Sequence, residues 1–218
     1  MNLSGLPLVT VIIPTFNRKE IVKEAITSVL DQDYPKIEVL VVDDGSTDGT
    51  GEELQKTFGS VIRYVYQNHG GESRARNNGV IKAQGDLICF LDSDDLMTPA
   101  SVSSRVKCFL EEERCEVAYG ISVKERKYRE KQRLLLKKTF PSGYILKEYV
   151  KDPFITNNDY MISKVNMLTY GMYKENITNL VDFEFFVRLS HKLFLNIVER
   201  LLPCFVIKDN ELVIILRT

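Results

Sequence analysis

Short apolar runs and amphipathic segments alternate along the first 120 residues of the chain, and polar loops separate them. Continuous β-prone runs cover residues 8–13, 37–42, 61–66 and 87–91. Such runs are typical of strands buried on both faces, whereas residues 21–30 carry apolar side chains at helical spacing. Strands that alternate with helices in this way form βαβ units. The pattern therefore predicts an α/β fold with a mainly parallel central sheet flanked by helices.

Polar residues at the starts of the helical segments suit helix caps. Asn17, with Glu20 three residues later, has the capping-box pattern ahead of the first helix. Ser73 suits the cap of a third helix, and Pro99 suits the first turn of a fourth. We therefore predict that helices begin at these positions.

The second part of the chain is predicted to contain further helices and short β segments. A fifth strand is predicted over residues 117–123, a helix over 144–151 and a short apolar segment over 160–162. A helix with aromatic packing positions begins at Asp182, and residues 205–216 have the pattern of two β segments. We see no repeat, low-complexity segment or clear linker, so one domain is expected.

Three polar loops follow three of the predicted strands, at residues 15–17, 43–44 and 92–95. The last of them places three carboxylates in four positions, which is costly unless a cation balances the charge. In parallel sheets, ligands bind outside the carboxyl ends of the strands. Mg²⁺ and Mn²⁺ are typically shared there between protein carboxylates and substrate phosphates. The loops together favour a metal-assisted site, and a solvated acidic loop that caps the next helix is the alternative.

The overall composition excludes several classes of protein. The formal net charge of −1 gives no field that would attract nucleic acid. No apolar stretch approaches the roughly 20 residues that span a bilayer, and no signal peptide is visible at the N-terminus. The four cysteines show no metal-binding spacing, which favours a cytoplasmic chain with reduced thiols. His69 and His191 are far apart in sequence and are interpreted as ordinary surface residues.

Residues 124–138 form a strongly basic stretch, with eight Lys or Arg against two Glu. A solvated face is the common explanation for such a stretch. Attraction to acidic lipid headgroups, or to an acceptor that carries phosphate, is the sharper one. The second reading adds peripheral contact with the inner face of the membrane to the predicted cytoplasmic location.

Five motifs of the chain, taken in order and spacing, resemble those of family 2 glycosyltransferases with the GT-A fold. The resemblance covers about residues 9–189, and its motifs are VIIPTFNR at 11–18, VVDDGSTD at 41–48, QNHG at 67–70, ARNNG at 75–79 and FLDSDD at 90–95. It implies a Rossmann-like sheet of GT-A type with a small C-terminal acceptor region. It also implies a nucleotide-sugar donor, usually UDP-linked, a divalent metal (Mn²⁺ or Mg²⁺) and inverting transfer.

On this resemblance the single domain divides into a nucleotide-sugar-binding half, residues 1–123, and an acceptor-side half, residues 124–218. The acceptor would be a hydroxyl group of a glycan, a lipid-linked sugar or another molecule. Polysaccharide or glycolipid synthesis is the expected setting.

The resemblance assigns the nucleotide to the first two polar loops and to the ARNNG segment. Pro14, Thr15 and Phe16 would line the base pocket, where the ring of Phe16 could face uracil or serve only as a buried aromatic. Asp44 would accept a hydrogen bond from the base imide, since an ionised carboxylate is acceptor-only, and a turn residue is the alternative. Arg76 would lie near the nucleotide, or on the helix surface.

The resemblance assigns the sugar and the metal to the acidic loop. Asp92 would face the ribose or the donor sugar, and Ser93 belongs to the same nucleotide-sugar site. Asp94 would bind the metal. Asp95 would orient the loop or cap the helix that follows.

The resemblance makes Asp182 the general base that takes the proton of the acceptor hydroxyl, with Glu184 as the fallback. The alternative is a helix N-terminal charge stabilised by the macrodipole. Family members carry Glu-Asp at this point, whereas this chain has Val181 before the Asp.

Other features also depart from the family pattern. Residues 170–173 replace the common Gly-Gly pair, and the basic, His-containing segment expected beyond Leu189 is absent, with residues 208–210 as the nearest substitute. The early end of the chain implies a minimal acceptor lid or a piece of a longer protein. The missing Glu and the short tail keep a second function open, a catalytically weak or inactive module that binds a nucleotide or glycan.

Overall fold

The computed structural model describes residues 5–120, 122–124, 140–198 and 205–207, the segments 122–124 and 205–207 by their backbone alone. Most of the basic stretch, the predicted tail segment beyond residue 207 and Cys204 lie outside the described residues. Nothing in the described helices combines the length and the apolar character that a bilayer crossing requires.

The described residues form ten strands and seven α-helices that alternate along most of the chain. The strands are β1 (Val9–Thr15), β2 (Ile37–Asp43), β3 (Arg63–Tyr66), β4 (Leu87–Phe90), β5 (Asp95–Met97), β6 (Val117–Tyr119), β7 (Ser122–Lys124), β8 (Tyr160–Ser163), β9 (Leu195–Ile197) and β10 (Phe205–Ile207). The helices are α1 (Ile21–Leu30), α2 (Thr50–Phe58), α3 (Glu72–Lys82), α4 (Ser101–Glu111), α5 (Leu146–Lys151), α6 (Lys164–Tyr170) and α7 (Val181–Ser190).

Seven strands form the central sheet in the order β3-β2-β1-β4-β8-β6-β9, and a smaller sheet has the order β5-β10-β7. Four of the six neighbouring pairs in the central sheet are parallel. Only the two pairs that involve β8 are antiparallel. The predicted α/β fold with a mainly parallel sheet is therefore confirmed.

Helices cover both faces of the central sheet, which explains the continuous apolar runs in its strands. Along β1, Val11 and Ile13 pack in one apolar cluster with α1 and α4. Ile12 points to the other face and packs in a second cluster with α3, α5 and α7. Apolar side chains and helices cover both faces of the sheet. The polar loops therefore lie at the ends of the strands, where the backbone leaves the core.

Two predicted strands have different bounds in the structure. The predicted strand 117–123 divides into β6 and β7, which pair in different sheets. The third strand begins later than predicted, because Gly59–Val61 forms a 3₁₀ turn ahead of it. In both cases the chain turns within the predicted apolar run, so the strand in the structure is shorter than the run.

The predicted helix caps are wrong in detail. Asn17 does not cap α1, which begins four residues later, after Glu20. The Asn17 N–H donates to Ser46 Oγ (2.8 Å), and its Oδ1 accepts from the Thr47 N–H (2.8 Å). The side chain that was expected to cap a helix instead ties the loops after β1 and β2 together, with Asn17 itself in a left-handed conformation (φ 51°).

The starts of α3 and α4 are also displaced from the predicted positions. Ser73 lies inside α3, whose first residue is Glu72 and whose N-cap is Gly71. Helix α4 begins at Ser101 rather than at Pro99, because β5 occupies the segment just before that proline.

Candidate active site

A cleft of about 470 Å³ lies at the carboxyl ends of β1, β2 and β4, where parallel sheets bind their ligands. The structure brings together on its walls the eight residues that the sequence assigned to the donor and the metal: Pro14, Thr15, Phe16, Asp44, Arg76, Asp92, Ser93 and Asp94.

An aromatic pair forms one end of the cleft. The half-exposed ring of Phe16 stacks on His69, with ring centroids 4.3 Å apart and planes inclined by 27°. The neighbouring Thr15 hydroxyl is buried and has no hydrogen-bond partner among the described residues. A buried hydroxyl without a partner is costly, so this end of the cleft is suited to a polar ligand.

His69 was missed by the sequence analysis, which interpreted it as an ordinary surface residue. Its side chain is 61% exposed, but it lies on the cleft wall. The signal was present, because the loop that contains His69 follows β3, whose carboxyl end lies beside that of β2.

Asp44 holds the loop that carries His69. Its Oδ1 accepts from the Gly70 N–H (2.9 Å) and from Gln67 Nε2 (2.7 Å). Its Oδ2 accepts from the Gly71 N–H (2.8 Å) and lies 2.8 Å from His69 Nδ1. A carboxylate offers about four lone-pair positions, and four neighbouring groups lie within hydrogen-bond distance of them here. The hydrogen bond predicted between Asp44 and the base stays a prediction. The base N–H would have to share one of these lone-pair positions with a group that already occupies it.

The three carboxylates of the acidic loop have different surroundings. Asp95 is buried and accepts a hydrogen bond from the Asn158 amide. Burial, with the charges of Asp92 and Asp94, raises the pKa of Asp95 to about 7. Asp94 is half-exposed on the cleft wall and pairs with the guanidinium of Arg18. Asp95 thus lies on the inner side of the loop, in line with its predicted orienting role, while Asp94 is accessible from the cleft.

Asp94 has the surroundings expected of a ligand to a shared divalent cation. Among the described residues, no group of three or more His, Cys, Asp and Glu side chains could enclose a metal on its own. Hard divalent cations bound with substrate phosphates use only one or two carboxylates. Asp94 is half-exposed on the cleft wall and could supply one such carboxylate, and an ion bound there would compete with Arg18 for it.

The buried guanidinium of Arg76 pairs with the partly exposed carboxylate of Asp92 on the cleft wall. Arg76 Nη2 donates to Asp92 Oδ1 (2.7 Å), and Nη1 donates to Glu72 Oε2 (3.1 Å). Burial opposes the charge of Arg76, but the carboxylates of Asp92 and Glu72 together raise its pKa above the usual value. Arg76 is therefore buried, with its Nε unpartnered among the described residues, and is not on the helix surface.

Asp182 lies in the first turn of α7. Its Oδ1 accepts from Asn157 Nδ2 (2.5 Å). Burial, and to a lesser extent the charge of Asp92, raises the pKa of Asp182, although Arg76 and the N–H groups of Asn157 oppose the shift. A carboxylate with a raised pKa is a better proton acceptor, which suits a general base.

Glu184, the fallback base, is engaged elsewhere. Arg188 donates to both of its oxygens (3.1 and 3.0 Å), and Lys174 Nζ lies 2.8 Å from Oε1. These contacts lower the pKa of Glu184, with Arg188 as the largest cause. The geometry therefore favours Asp182 over Glu184 for accepting a proton.

The turn Asn157–Asp159 connects the acidic loop to Asp182, and the sequence analysis gave it no role. Asn158 Oδ1 accepts from the Asp92 N–H (2.9 Å), while the preceding Asn157 holds Asp182. The Asp159 carboxylate accepts from Thr156 N and Oγ1 (2.7 and 2.8 Å), which closes a capping box. The Thr-x-x-Asp spacing was the readable signal, since it marks a tight turn ahead of β8.

Fold and site together define an α/β protein with a ligand cleft at the edge of its sheet. The family profile described as "Glycosyl transferase family 2" matches residues 10–177, and the chain belongs to this family. The resemblance inferred from the motifs is confirmed.

One curated relative is the GalNAc(5)-diNAcBac-PP-undecaprenol beta-1,3-glucosyltransferase of Campylobacter jejuni. It is 30% identical over 176 residues, which cover 79% of this chain and 53% of that protein. This chain therefore spans about half the length of that relative.

Two solved glycosyltransferases share the fold. S. aureus TarS (residues 1–349) aligns with a TM-score of 0.70 and 17% identity, over 91% of this chain and 60% of that one. Its complex with UDP-GlcNAc also aligns, with a TM-score of 0.65. PcManGT of Pyrobaculum calidifontis, a mannosyltransferase in complex with GDP-Man and Mn²⁺, aligns with a TM-score of 0.61 and 22% identity over 82% of this chain and 50% of that one. At these identities the likeness shows the fold alone.

Proposed function

We propose that this chain transfers a sugar from a nucleoside-diphosphate donor to an acceptor hydroxyl, with inversion at the anomeric carbon. One observation carries the proposal. A single turn, Asn157–Asp159, links the acidic loop that contains Asp92 and Asp94 to the partly buried acid Asp182. Asp182 also feels the charges of Arg76 and Asp92, which line the cleft, so a group suited to accept a proton lies near the groups suited to a diphosphate.

The nucleotide is proposed to bind at the aromatic end of the cleft. Phe16 and His69 offer ring faces for a base, and the buried Thr15 hydroxyl offers an unused polar group. UDP is the favoured nucleotide because TarS, which shares the fold, forms a complex with UDP-GlcNAc. GDP is the first alternative, since PcManGT binds GDP-Man.

The diphosphate is proposed to lie along the acidic loop. Asp94 would hold Mn²⁺ or Mg²⁺ together with the phosphate oxygens, and Arg18 stands beside this position. The chemistry supplied at this position would be neutralisation of the charge that develops on the leaving diphosphate. Arg76 keeps Asp92 in place, so that the sugar side of the cleft retains a hydrogen-bond acceptor.

Asp182 is proposed to accept the proton of the attacking hydroxyl. The acceptor oxygen bonds to the anomeric carbon from the face opposite the diphosphate. As the bond from that carbon to the phosphate oxygen breaks, the proton moves to Asp182. Attack from the opposite face inverts the anomeric centre, as water does in inverting glycosidases.

The acceptor is proposed to be a glycan or a lipid-linked sugar, in polysaccharide or glycolipid synthesis. The name of the Campylobacter relative includes a PP-undecaprenol-linked glycan, which supports this class. A cytoplasmic location with contact at the inner face of the membrane follows from the same proposal, because lipid-linked sugars reside there.

Val181, in the place of the Glu expected before Asp182, supports a second candidate function. In this alternative the chain binds a nucleotide or a glycan without transferring sugar. Both candidates predict nucleotide binding, and only the first predicts turnover.

Calorimetric titration with UDP, in Mn²⁺ and again after EDTA, tests the donor site. We expect binding that depends on the metal and that Asp94→Ala abolishes. Glu111→Ala, which removes an exposed carboxylate paired with Lys107 on α4, is the matched control and should bind as the wild type does. Equal binding with and without metal would contradict the role of Asp94. Release of UDP from UDP-sugars in the presence of hydroxyl acceptors then separates the transferase from the binding module.

A further inference from the structure

Asp182 lies at the end of a series of hydrogen bonds between buried hydroxyl and amide groups. The hydroxyls of Tyr160 and Tyr173 are 2.8 Å apart. The Tyr173 hydroxyl donates to Asn157 Oδ1 (2.6 Å), and Asn157 Nδ2 donates to Asp182 Oδ1 (2.5 Å). Tyr160, Tyr173 and Asn157 are 0%, 3% and 4% exposed, so water does not compete for these bonds.

The chemistry of these groups determines which of them donates and which accepts in each hydrogen bond. An ionised carboxylate only accepts, so the Asn157 atom that faces Asp182 must be its amide nitrogen. The Asn157 oxygen therefore faces Tyr173, whose hydroxyl must donate to it. That bond uses the single Tyr173 proton, so Tyr160 must be the donor in the contact between the two hydroxyls.

The Tyr173 hydroxyl is held in place from several sides. Its ring stacks on Phe185, with centroids 4.2 Å apart, and meets Phe90 edge-on at 5.6 Å. Asn77 of α3 binds both the N–H and the C=O of Tyr173, each at 2.9 Å. A ring and a backbone fixed in this way leave the hydroxyl one position, next to the amide of Asn157.

We propose that Tyr173 is a positioning residue for the transfer reaction, acting on Asp182 through the side chain of Asn157. Its hydroxyl keeps the Asn157 amide nitrogen directed at the carboxylate, and this holds the carboxylate in one orientation at the cleft. The inference rests on the proposed function, because it assumes that Asp182 accepts the proton. The substitution Tyr173→Phe isolates the hydroxyl, since the ring contacts remain.

Removal of the hydroxyl has a predictable effect on Asp182. The N–H groups of Asn157 lower the pKa of that carboxyl, so an amide that is no longer fixed lowers it less. The other groups that act on Asp182 are unchanged in the variant: Arg76 on α3, Asp92 after β4, Tyr149 on α5 and Tyr160 on β8. We therefore expect the pKa of Asp182 to rise in Tyr173→Phe by about 0.5 to 1, the equivalent of one net hydrogen bond.

Titration of the Asp182 carboxyl by ¹³C NMR tests the inference without any acceptor. Asp182→Asn identifies the signal by its loss. Tyr119→Phe is the matched control, because Tyr119 is also fully buried and its hydroxyl donates to the Pro141 carbonyl, away from Asp182. We expect the raised pKa in Tyr173→Phe and a smaller rise in Tyr160→Phe, with the control unchanged. Identical titrations in Tyr173→Phe and the wild type, with all variants folded by circular dichroism, would overturn the inference.

Turnover separates this inference from the proposed function. Where the wild type transfers sugar, Tyr173→Phe should lower kcat about 3- to 10-fold and leave both the KM for the donor and the affinity for UDP unchanged. A wild-type protein that binds UDP and transfers no sugar would remove the proposed function. The NMR titration would still show whether Tyr173 orients the carboxylate of Asp182.

Discussion

The two sides of the cleft hold their carboxylates in different ways. At the nucleotide side, Asp44 meets four donor groups from the loop of residues 67–71, two of them backbone N–H groups. Asp182, at the start of α7, is partly buried, receives its hydrogen bonds from Asn157 among the described residues, and has a raised pKa. The first carboxylate therefore organises a loop, whereas the second has the raised pKa that the proposed proton transfer requires.

The largest expected effect is on turnover, when Asp182 is substituted. The substitution Asp182→Asn keeps the shape of the side chain and removes its basicity. General-base catalysis contributes about 10²- to 10⁴-fold, so kcat should fall by roughly that factor. Calorimetry with UDP should show unchanged affinity, because the base does not hold the nucleotide. Near-normal turnover in this variant would mean that another group accepts the proton.

The corresponding change at Asp44 should act on stability and binding rather than on chemistry. Asp44→Ala leaves the N–H groups of Gly70 and Gly71 without their acceptor. We expect a loss of about 1–3 kcal/mol in the free energy of unfolding, measured with urea, and weaker binding of UDP. Asp94→Ala is the control for stability, since Asp94 is half-exposed and should change the unfolding midpoint little. Equal stability of the two variants would contradict the role given to Asp44.

The pH dependence of stability sharpens the contrast between Asp182 on α7 and a carboxylate that, like Asp44, serves to accept hydrogen bonds. Glu38 of β2 accepts from Thr10, the Gln84 N–H and Arg63, and these bonds lower its pKa although burial opposes them. Its stabilising contribution is present above its unfolded pKa of about 4.3 and is lost as the pH falls through the lower, folded value. Asp182 behaves oppositely, because its pKa is raised by folding. Ionised Asp182 costs stability at neutral pH, and the cost disappears as the pH falls below its unfolded pKa.

Urea denaturation of two variants from pH 7 down to about pH 2.5, below the unfolded pKa values of both groups, measures both effects. Glu38→Gln should be less stable than the wild type at pH 7, with a difference that shrinks as the pH falls. Asp182→Asn should gain stability relative to the wild type at pH 7, and this gain should also shrink on acidification. Two differences of the same sign at pH 7 would contradict the distinction between the carboxylates.

The grouping of side chains at the carboxyl ends of β1, β2 and β4 could be predicted from the sequence, and the surroundings of Asp182 only in part. Continuous apolar runs identified β1, β2 and β4, and the acids that follow such runs must lie together at one sheet edge. The connection between Asp92 and Asn158 depends on β8, which inserts antiparallel between β4 and β6. No local pattern encodes that insertion, so the contacts that the turn makes with Asp92 and Asp182 were not foreseen.

The same distinction explains the errors at helix starts. A capping box is a local rule, and Asn17 satisfied it in sequence. In the structure its side chain binds Thr47, which is remote in sequence but adjacent across the sheet edge. His69 was overlooked for a similar reason, since its stacking on Phe16 joins two loops that meet only after the sheet has formed. Local chemistry predicted the elements, and contacts between elements determined which side chains reach the cleft.

The smallest expected effect concerns Arg18, whose guanidinium pairs with Asp94 on the cleft wall. The side chains are 40% and 50% exposed, and ion pairs of this kind contribute about 0–1 kcal/mol. Arg18→Ala should therefore leave the free energy of unfolding within about 0.5 kcal/mol of the wild type, in contrast to Asp44→Ala. A cation beside the proposed diphosphate position should matter more for binding, so calorimetry should show weaker affinity for UDP in Mn²⁺. A large loss of stability with unchanged UDP affinity would make Arg18 a structural residue and would remove it from the site.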